Sequence, residues 1–402
     1  MAKTRAVSLS KEEVGRRITR LSKQAVPSFA GAENLDRPID ADIQVTGPAH
    51  AHRLTLMLDG VAASWLTVVD YRQRIGPCVV RMGGIAGVGT HEEHRFKGYS
   101  RRVMLNSLRW MRRAGYDTSM LYGISGYYPK FGFAPAFPTT NWSMPVKVAE
   151  RCAGEAGKFR FVDFAAAEHL PAVLKMYHAN NATRTGTALR DEATWQPFRK
   201  GVSWNKSFIA KVALDAKGRP AGYFAMDGDL DGTVTEMGFA TPAVFPAILR
   251  ATAEAATSVV TFYLPEDDAF MAWCKPLGVR KKLEYRPDGG AMVRLINVRS
   301  VLEKIAPLLA RRIGGRGRLG VRTNIESVEL SWSSGEMHVG PGRRAGKAVA
   351  LPQWALAQLV YGYQSAETLL ALGVLKGGQE SLEVLAAMFP PGPHYLHKAD
   401  EF

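Results

Sequence analysis

Residues 78–122 constrain the fold more than any other part of this 402-residue chain. Cys78–Met82 reads as a strand and runs into Gly83–Thr90, an apolar stretch laced with glycine. Residues 98–114 (GYSRRVMLNSLRWMRRA) then carry a helical period. Val103, Met104, Leu108 and Met111 form one apolar stripe, and Arg101, Arg102, Arg109, Arg112 and Arg113 sit largely off it. Gly115 ends the helix, and Thr118–Tyr122 reads as a second strand. Strand, glycine loop, helix, strand in that order calls for an α+β chain whose loops carry chemistry.

The loop itself is Ile85–Ser100 (IAGVGTHEEHRFKGYS), with glycines at 87, 89 and 98. It closes on Arg95-x-x-Gly98-x-Ser100 at the start of the helix. Gly98 permits a tight turn and a close backbone approach. The first-turn N–H groups point outward, and the helix dipole favours an anion there. Arg95, Lys97, Arg101 and Arg102 add fixed positive charge, so the arrangement suits a pyrophosphate. No Walker lysine motif and no dinucleotide GxGxxG spacing is present, which argues against an NTPase or a nicotinamide enzyme. Taken alone, the motif fits an ordinary capped helix with a basic solvent face equally well.

The charge distribution bears on the same question. Lys and Arg number 52 against 37 Asp and Glu, a net charge of +15. Residues 1–150 carry 21 basic and 12 acidic groups, a net +9; residues 151–300 carry +4 and residues 301–402 carry +2. Any anionic ligand is therefore expected on the first third, although the +15 alone fits a generally basic, soluble surface better. Cys78, Cys152 and Cys274 are widely spaced and give no disulfide framework or CxxC pair. The N-terminal residues lack an apolar signal core, and no apolar run approaches a membrane span, so a cytoplasmic protein with no membrane partner is expected.

Elsewhere, an amphipathic helix is expected at 10–25. A hairpin follows over His52–Leu58 and Ala62–Tyr71, turning at Asp59–Gly60. A second region holds strands at Phe159–Phe164, Phe208–Val212, Ala221–Met226, Val234–Phe239 and Val259–Leu264, with helices at Ala166–His178 and Ala243–Ala256. Its element order repeats that of the first region. A third region begins with a helix at Val301–Ile313. It continues through strands at Ser327–Trp332 and Lys347–Ala350 to apolar helices at Leu351–Tyr361, Ser365–Leu372 and Ser381–Phe389.

After the strand at 118–122 comes GISGYYPKFGFAPAF (123–137), an aromatic turn with Phe131-Gly132-Phe133. This pair of segments resembles the acetyl-CoA-binding core of the GNAT N-acetyltransferases. The three regions in order resemble one branch, the Eis-type (enhanced intracellular survival) acetyltransferases, over roughly residues 40–402. LPQWALAQLVYGYQSAETLLALG (351–373), FPPGP and the ending DEF are the second match. The resemblance implies tandem GNAT-like mixed-sheet domains, 1–150 and a degenerate 151–295, then a sterol-carrier-protein-like domain, 296–402. The central region has Glu236–Pro246 (EMGFATPAVFP) where the RxxGxS motif would stand, which marks it as scaffold. Two features depart from the family. Residues 1–50 hold only a thin version of the opening strand and helices, and Phe96 splits Arg95 from Lys97 just after Glu92–Glu93.

Carried over residue by residue, the resemblance puts pantetheine on the backbone around Ile85, Gly87 and Val88. It puts pyrophosphate on the amides of Gly98, Tyr99, Ser100 and Arg101, with charge from Arg95 and Lys97. Acyl transfer needs a deprotonated amine, donors for the developing oxyanion and a proton for the departing thiolate. The resemblance assigns that proton to Tyr128, with Tyr127 selected by a one-residue shift. It assigns the base to the terminal carboxylate at Phe402, ionised at neutral pH; Glu401 and Asp400 are alternatives for binding a cationic amine. His91 and His94 with Glu92 and Glu93 could be drawn as a metal site, but read as loop residues, and no metal is expected. The expected activity is direct transfer from acetyl-CoA to an aminoglycoside-like, polyamine or lysine amine, by a homohexamer. Rival readings are a peptide or protein N-acetyltransferase, or a non-catalytic relic that binds lipid or nucleic acid. The intact RxxGxS and Tyr128 favour the enzyme, with coenzyme A and not nucleic acid as the anion.

Overall fold

A computed structural model describes residues 34–124, 126–152, 159–199, 207–342 and 346–402; the helix expected at 10–25 lies outside them. The first sheet is built from β1 (Ile43–Thr46), β2 (Ala51–Leu58), β3 (Val61–Ile75), β4 (Cys78–Thr90), β5 (Thr118–Gly123) and β6 (Ala134–Pro135). It is completed by a strand from far along the chain, β14 (Gly290–Leu295), in the order β1-β2-β3-β4-β5-β14-β6. The glycine-laced run at 83–90 is not a loop but a continuation of β4, which stays paired with β3 as far as Thr90.

Helix α1 (Tyr99–Arg113) covers one face of this sheet. Val103, Met104, Leu108 and Met111 are buried among Leu54, Leu66, Val68 and Leu121. Its arginines are largely committed to carboxylates. Arg102 pairs with Asp40 at 2.7 Å and Asp42 at 2.8 Å, Arg109 reaches Asp40 at 3.5 Å, and Arg112 reaches Glu326 at 3.3 Å.

The second sheet runs β13-β7-β12-β11-β10-β9-β8. Its strands are β7 (Thr139–Pro145), β8 (Arg160–Asp163), β9 (Ile209–Leu214), β10 (Pro220–Met226), β11 (Thr233–Phe239), β12 (Val259–Phe262) and β13 (Arg280–Glu284). The two large sheets share a plan: β4 and β5 form a parallel pair in one, β11 and β12 in the other, each bridged by a helical segment. They also trade strands. β7 precedes residue 150 yet lies in the second sheet, and β14 follows the second sheet's strands yet lies in the first. Hydrophobic pattern does not encode which edge a strand will pair with.

The third sheet comprises β15 (Gly317–Arg322), β16 (Ser327–Ser333), β17 (Glu336–Pro341), β18 (Ala348–Ala350) and β19 (Lys376–Gly377), ordered β17-β16-β15-β18-β19. The space between it and the helices at Val298–Arg312, Gln353–Val360 and Gln379–Met388 is filled by Leu319, Leu330, Trp354, Leu356 and Leu385. That core continues into the first sheet through Met82, Met120, Val293 and Leu295, so the first and third regions share one apolar interior. Among the described residues no helix is long and apolar enough to cross a membrane.

Candidate active site

Two local irregularities open a cleft in the first sheet. The β3–β4 register skips one step: Trp65 faces Gly89, but Thr67 faces Ala86. Gly87 and Val88 therefore bulge opposite Leu66, and Gly87 takes φ +56°, which a β-carbon disfavours. On its other side β4 pairs with β5 only from Met82–Thr118 to Ile85–Leu121. Beyond Ile85 the two parallel strands part, which leaves the backbone of 86–88 without a β5 partner. An extended amide chain entering there finds strand-like donors and acceptors.

Past a 3-10 turn (Glu92–His94), β4 leads to the start of α1. Gly98 is its N-cap at φ +81° with no side-chain cap, and a β-carbon added there would meet nothing. The first helical bond runs from Arg102 N–H to Gly98 C=O at 3.1 Å, so the amides of 99–101 precede the ladder. Ile85, Gly87 and Val88 thus lie along the bulged end of β4, and Gly98, Tyr99, Ser100 and Arg101 at the start of the helix that follows it. Arg95 is exposed and touches Glu92 at 3.5 Å, and Lys97 is also exposed. Arg102, counted with the loop on sequence, is turned back onto Asp40 and Asp42.

The two tyrosines divide cleanly. Tyr127 Oη lies 2.6 Å from Ser100 Oγ, which ties the aromatic turn to the helix start. Tyr128 opens a 3-10 turn (Tyr128–Phe131) and is buried, its ring against Gly123 at the tip of β5. Burial pushes the Tyr128 phenol above its ordinary value, so it stays protonated across neutral pH.

The end of the chain returns to this sheet. Gly83 faces α1 and Met111, while Gly84 faces the other way, and there the Phe402 ring lies over it. A β-carbon at Gly84 would come within 2.7 Å of that ring. Tyr71 of β3 and Tyr122 of β5 flank it, with ring centroids 5.4 and 5.5 Å away. The tail separates two cavities on this face, and Glu401 lines both. One, of about 760 Å³, includes Trp65, Tyr71, Ala86, Gly87 and Trp195. The other, of about 580 Å³, includes Tyr122, Phe208, Leu230, Tyr263 and Phe402.

Asp400 differs from its expected use. It is buried against Arg190, at 2.8 Å, and is closed to a soluble amine. Sequence reasoning did not find Gly84, Tyr71, Tyr122 or Arg190. Each acts through a partner hundreds of positions away, and no local spacing signals that. Among the described residues there is no cluster of three potential metal ligands; His94 sits in the 3-10 turn Glu92–His94, its ring edge-on to Tyr99 at 5.8 Å.

Residues 44–136 match the acetyltransferase (GNAT) domain family, and residues 321–397 match the sterol carrier protein domain family. No protein of curated function matches the chain. Among solved structures it is similar to a GCN5-related N-acetyltransferase from Anabaena variabilis (18% identity, TM-score 0.70, 98% of each chain covered). It is also similar to one from Kribbella flavida (20%, 0.68, 87% of each). Eis1 from Mycobacterium abscessus aligns at 15% identity and TM-score 0.64, with 87% of this chain and 90% of that one covered. At such identities the likeness is one of fold. Residues 44–136 thus form a GNAT acetyltransferase domain and residues 321–397 a sterol carrier protein domain, which makes the chain an acyltransferase by its domains.

Proposed function

We propose that the chain is an Eis-type N-acetyltransferase that moves an acetyl group from acetyl-CoA to a primary amine in a ternary complex. The observation that carries this reading is the Phe402 ring seated on Gly84 between Tyr71 and Tyr122, on the sheet that holds the split. A GNAT cleft alone accepts a thioester; in this reading the seated tail adds the base.

In this reading the backbone around Ile85, Gly87 and Val88 holds pantetheine. The amides of Gly98, Tyr99, Ser100 and Arg101 hold the pyrophosphate, and Arg95 and Lys97 add charge. The acceptor comes to the opposite face, through the cavities beside Glu401. Its amine nitrogen bonds to the thioester carbon and gives up a proton to the Phe402 carboxylate. The carbon–sulfur bond breaks, and the sulfur takes the Tyr128 proton. Proton return from the carboxyl to the tyrosinate restores the enzyme. Tyr128 suits the acid role because burial keeps its phenol protonated. Tyr127 is occupied by Ser100. A homohexameric assembly and a cytoplasmic setting belong to the same proposal and rest on the family resemblance.

The test is thiol release from acetyl-CoA with aminoglycosides, polyamines and lysine peptides. Tyr128→Phe is expected to lower kcat by roughly 100-fold, in the range of one lost general acid. One or two residues appended after Phe402 are expected to abolish turnover while acetyl-CoA still binds. Full activity in both variants rejects the assignment.

A further inference from the structure

The second region offers no RxxGxS motif, yet its counterpart of the cofactor strand carries the most deeply buried charge pair described here. Glu236 sits in β11, the second sheet's equivalent of β4, and its side chain is fully buried. Arg190, 1% exposed, meets it through two nitrogens at 2.6 and 2.7 Å. The same guanidinium meets Asp400 through two more contacts, 2.8 Å from Nε and 3.1 Å from Nη2. Tyr177 Oη donates to Asp400 at 3.1 Å, and Tyr223 Oη donates to Glu236 at 2.8 Å. The rings of Tyr177 and Trp195 lie 3.7 and 4.2 Å from the guanidinium carbon.

Such a cluster is a poor way to gain stability, since packed apolar residues often do as well or better. What it adds is direction. Arg190 holds two carboxylates in one plane, and the second belongs to the segment two residues before Phe402. We infer that Arg190, backed by Glu236, is the positioning residue that latches the chain's last residues into the acetyltransferase cleft. The degenerate region then has a defined task. Its version of the cofactor strand orients a carboxylate that orients the tail, where the first region's version orients a ligand. The catalytic meaning of the latch rests on the reading of Phe402 as base; the latch itself does not.

Asp400→Ala tests it. Arg190 and Glu236 stay paired one to one in that variant, so no buried charge is stranded. Carboxypeptidase release of Phe402 is expected to rise at least roughly tenfold, the scale of lost charge-assisted hydrogen bonds. kcat is expected to fall by a similar factor with acetyl-CoA affinity unchanged, and Asp400→Asn is expected to lie between. An unchanged release rate overturns the latch, whatever the activity does. Faster release with undiminished kcat upholds the latch and removes Phe402 from the chemistry. As a second probe that leaves the ion pairs whole, Tyr177→Phe is expected to speed release less than Asp400→Ala does; equal or faster release would overturn the ranking of Arg190 as the principal holder.

Discussion

Gly84 lacks a side chain where the Phe402 ring takes the space above the strand. Its backbone pairs normally with Val69 and Met120 and has no left-handed φ, so alanine fits the strand itself. The conflict lies only with the tail, which is the movable partner. Gly84→Ala is therefore expected to leave thermal stability within a few degrees of the parent while lowering turnover at least tenfold, the cost of a small misplacement in the reacting geometry. A melting curve and a thiol-release assay on the same preparation separate the two effects. The residue stands in plain sight in the sequence as one of three glycines within five positions, but its meaning depends on a contact 318 positions downstream.

At the scale of an element, α1 divides its positive charge between two tasks. Arg102 in its first turn, with Arg109 and Arg112 further on, holds Asp40, Asp42 and Glu326, which fastens the segment before β1 and the third region to the helix. Its start, with Arg95 and Lys97 just before it, leaves the amides of 99–101 ahead of the helical ladder. Lys97→Ala is expected to raise the acetyl-CoA KM several-fold, and Arg102→Ala to leave it unchanged while costing about 1 kcal/mol of stability, since its ion pairs to Asp40 and Asp42 are half-exposed and screened by solvent. A KM comparison with a denaturation curve decides it; equal KM effects would place both arginine and lysine at the phosphates. Much of this element was legible beforehand. The apolar stripe, the ending at Gly115 and the motif at its start are local, and local signals read out of sequence. Which arginines face acids was not, because Asp40 and Asp42 approach through tertiary packing. The same limit hid the exchange of β7 and β14 between sheets: neither carries the address of its partner.

On the scale of the whole molecule, buried histidines tie stability to pH. Burial holds His394 and His397 below the usual histidine range, and the Arg190 charge lowers His397 further. Both are thus neutral when folded and take up protons more readily when unfolded. The unfolded chain binds more protons below its histidine pKa of about 6.5, so stability is kept above that pH and falls below it. Each can remove up to about 1.4 kcal/mol per pH unit until its folded pKa is passed. Melting temperatures between pH 7.5 and 5.5 are expected to drop, and His397→Gln to reduce the drop; a flat profile would mean that these rings gain a partner on protonation. His397 belongs to the tail, three residues before the latch at Asp400, so mild acid should loosen the tail before the sheets.

The exchange of strands also sets a schedule for synthesis. β5 ends at residue 123, and its partner β14 begins at residue 290. The ribosome needs on the order of ten seconds or more to cover that interval. For that time the edge of β5 has no neighbour, and the acetyltransferase sheet is open beside the lip of its own cleft. The first sheet therefore gains β14 only after every strand of the second sheet has been made. Early termination anywhere before β14 would leave an unpaired apolar edge rather than a smaller working enzyme.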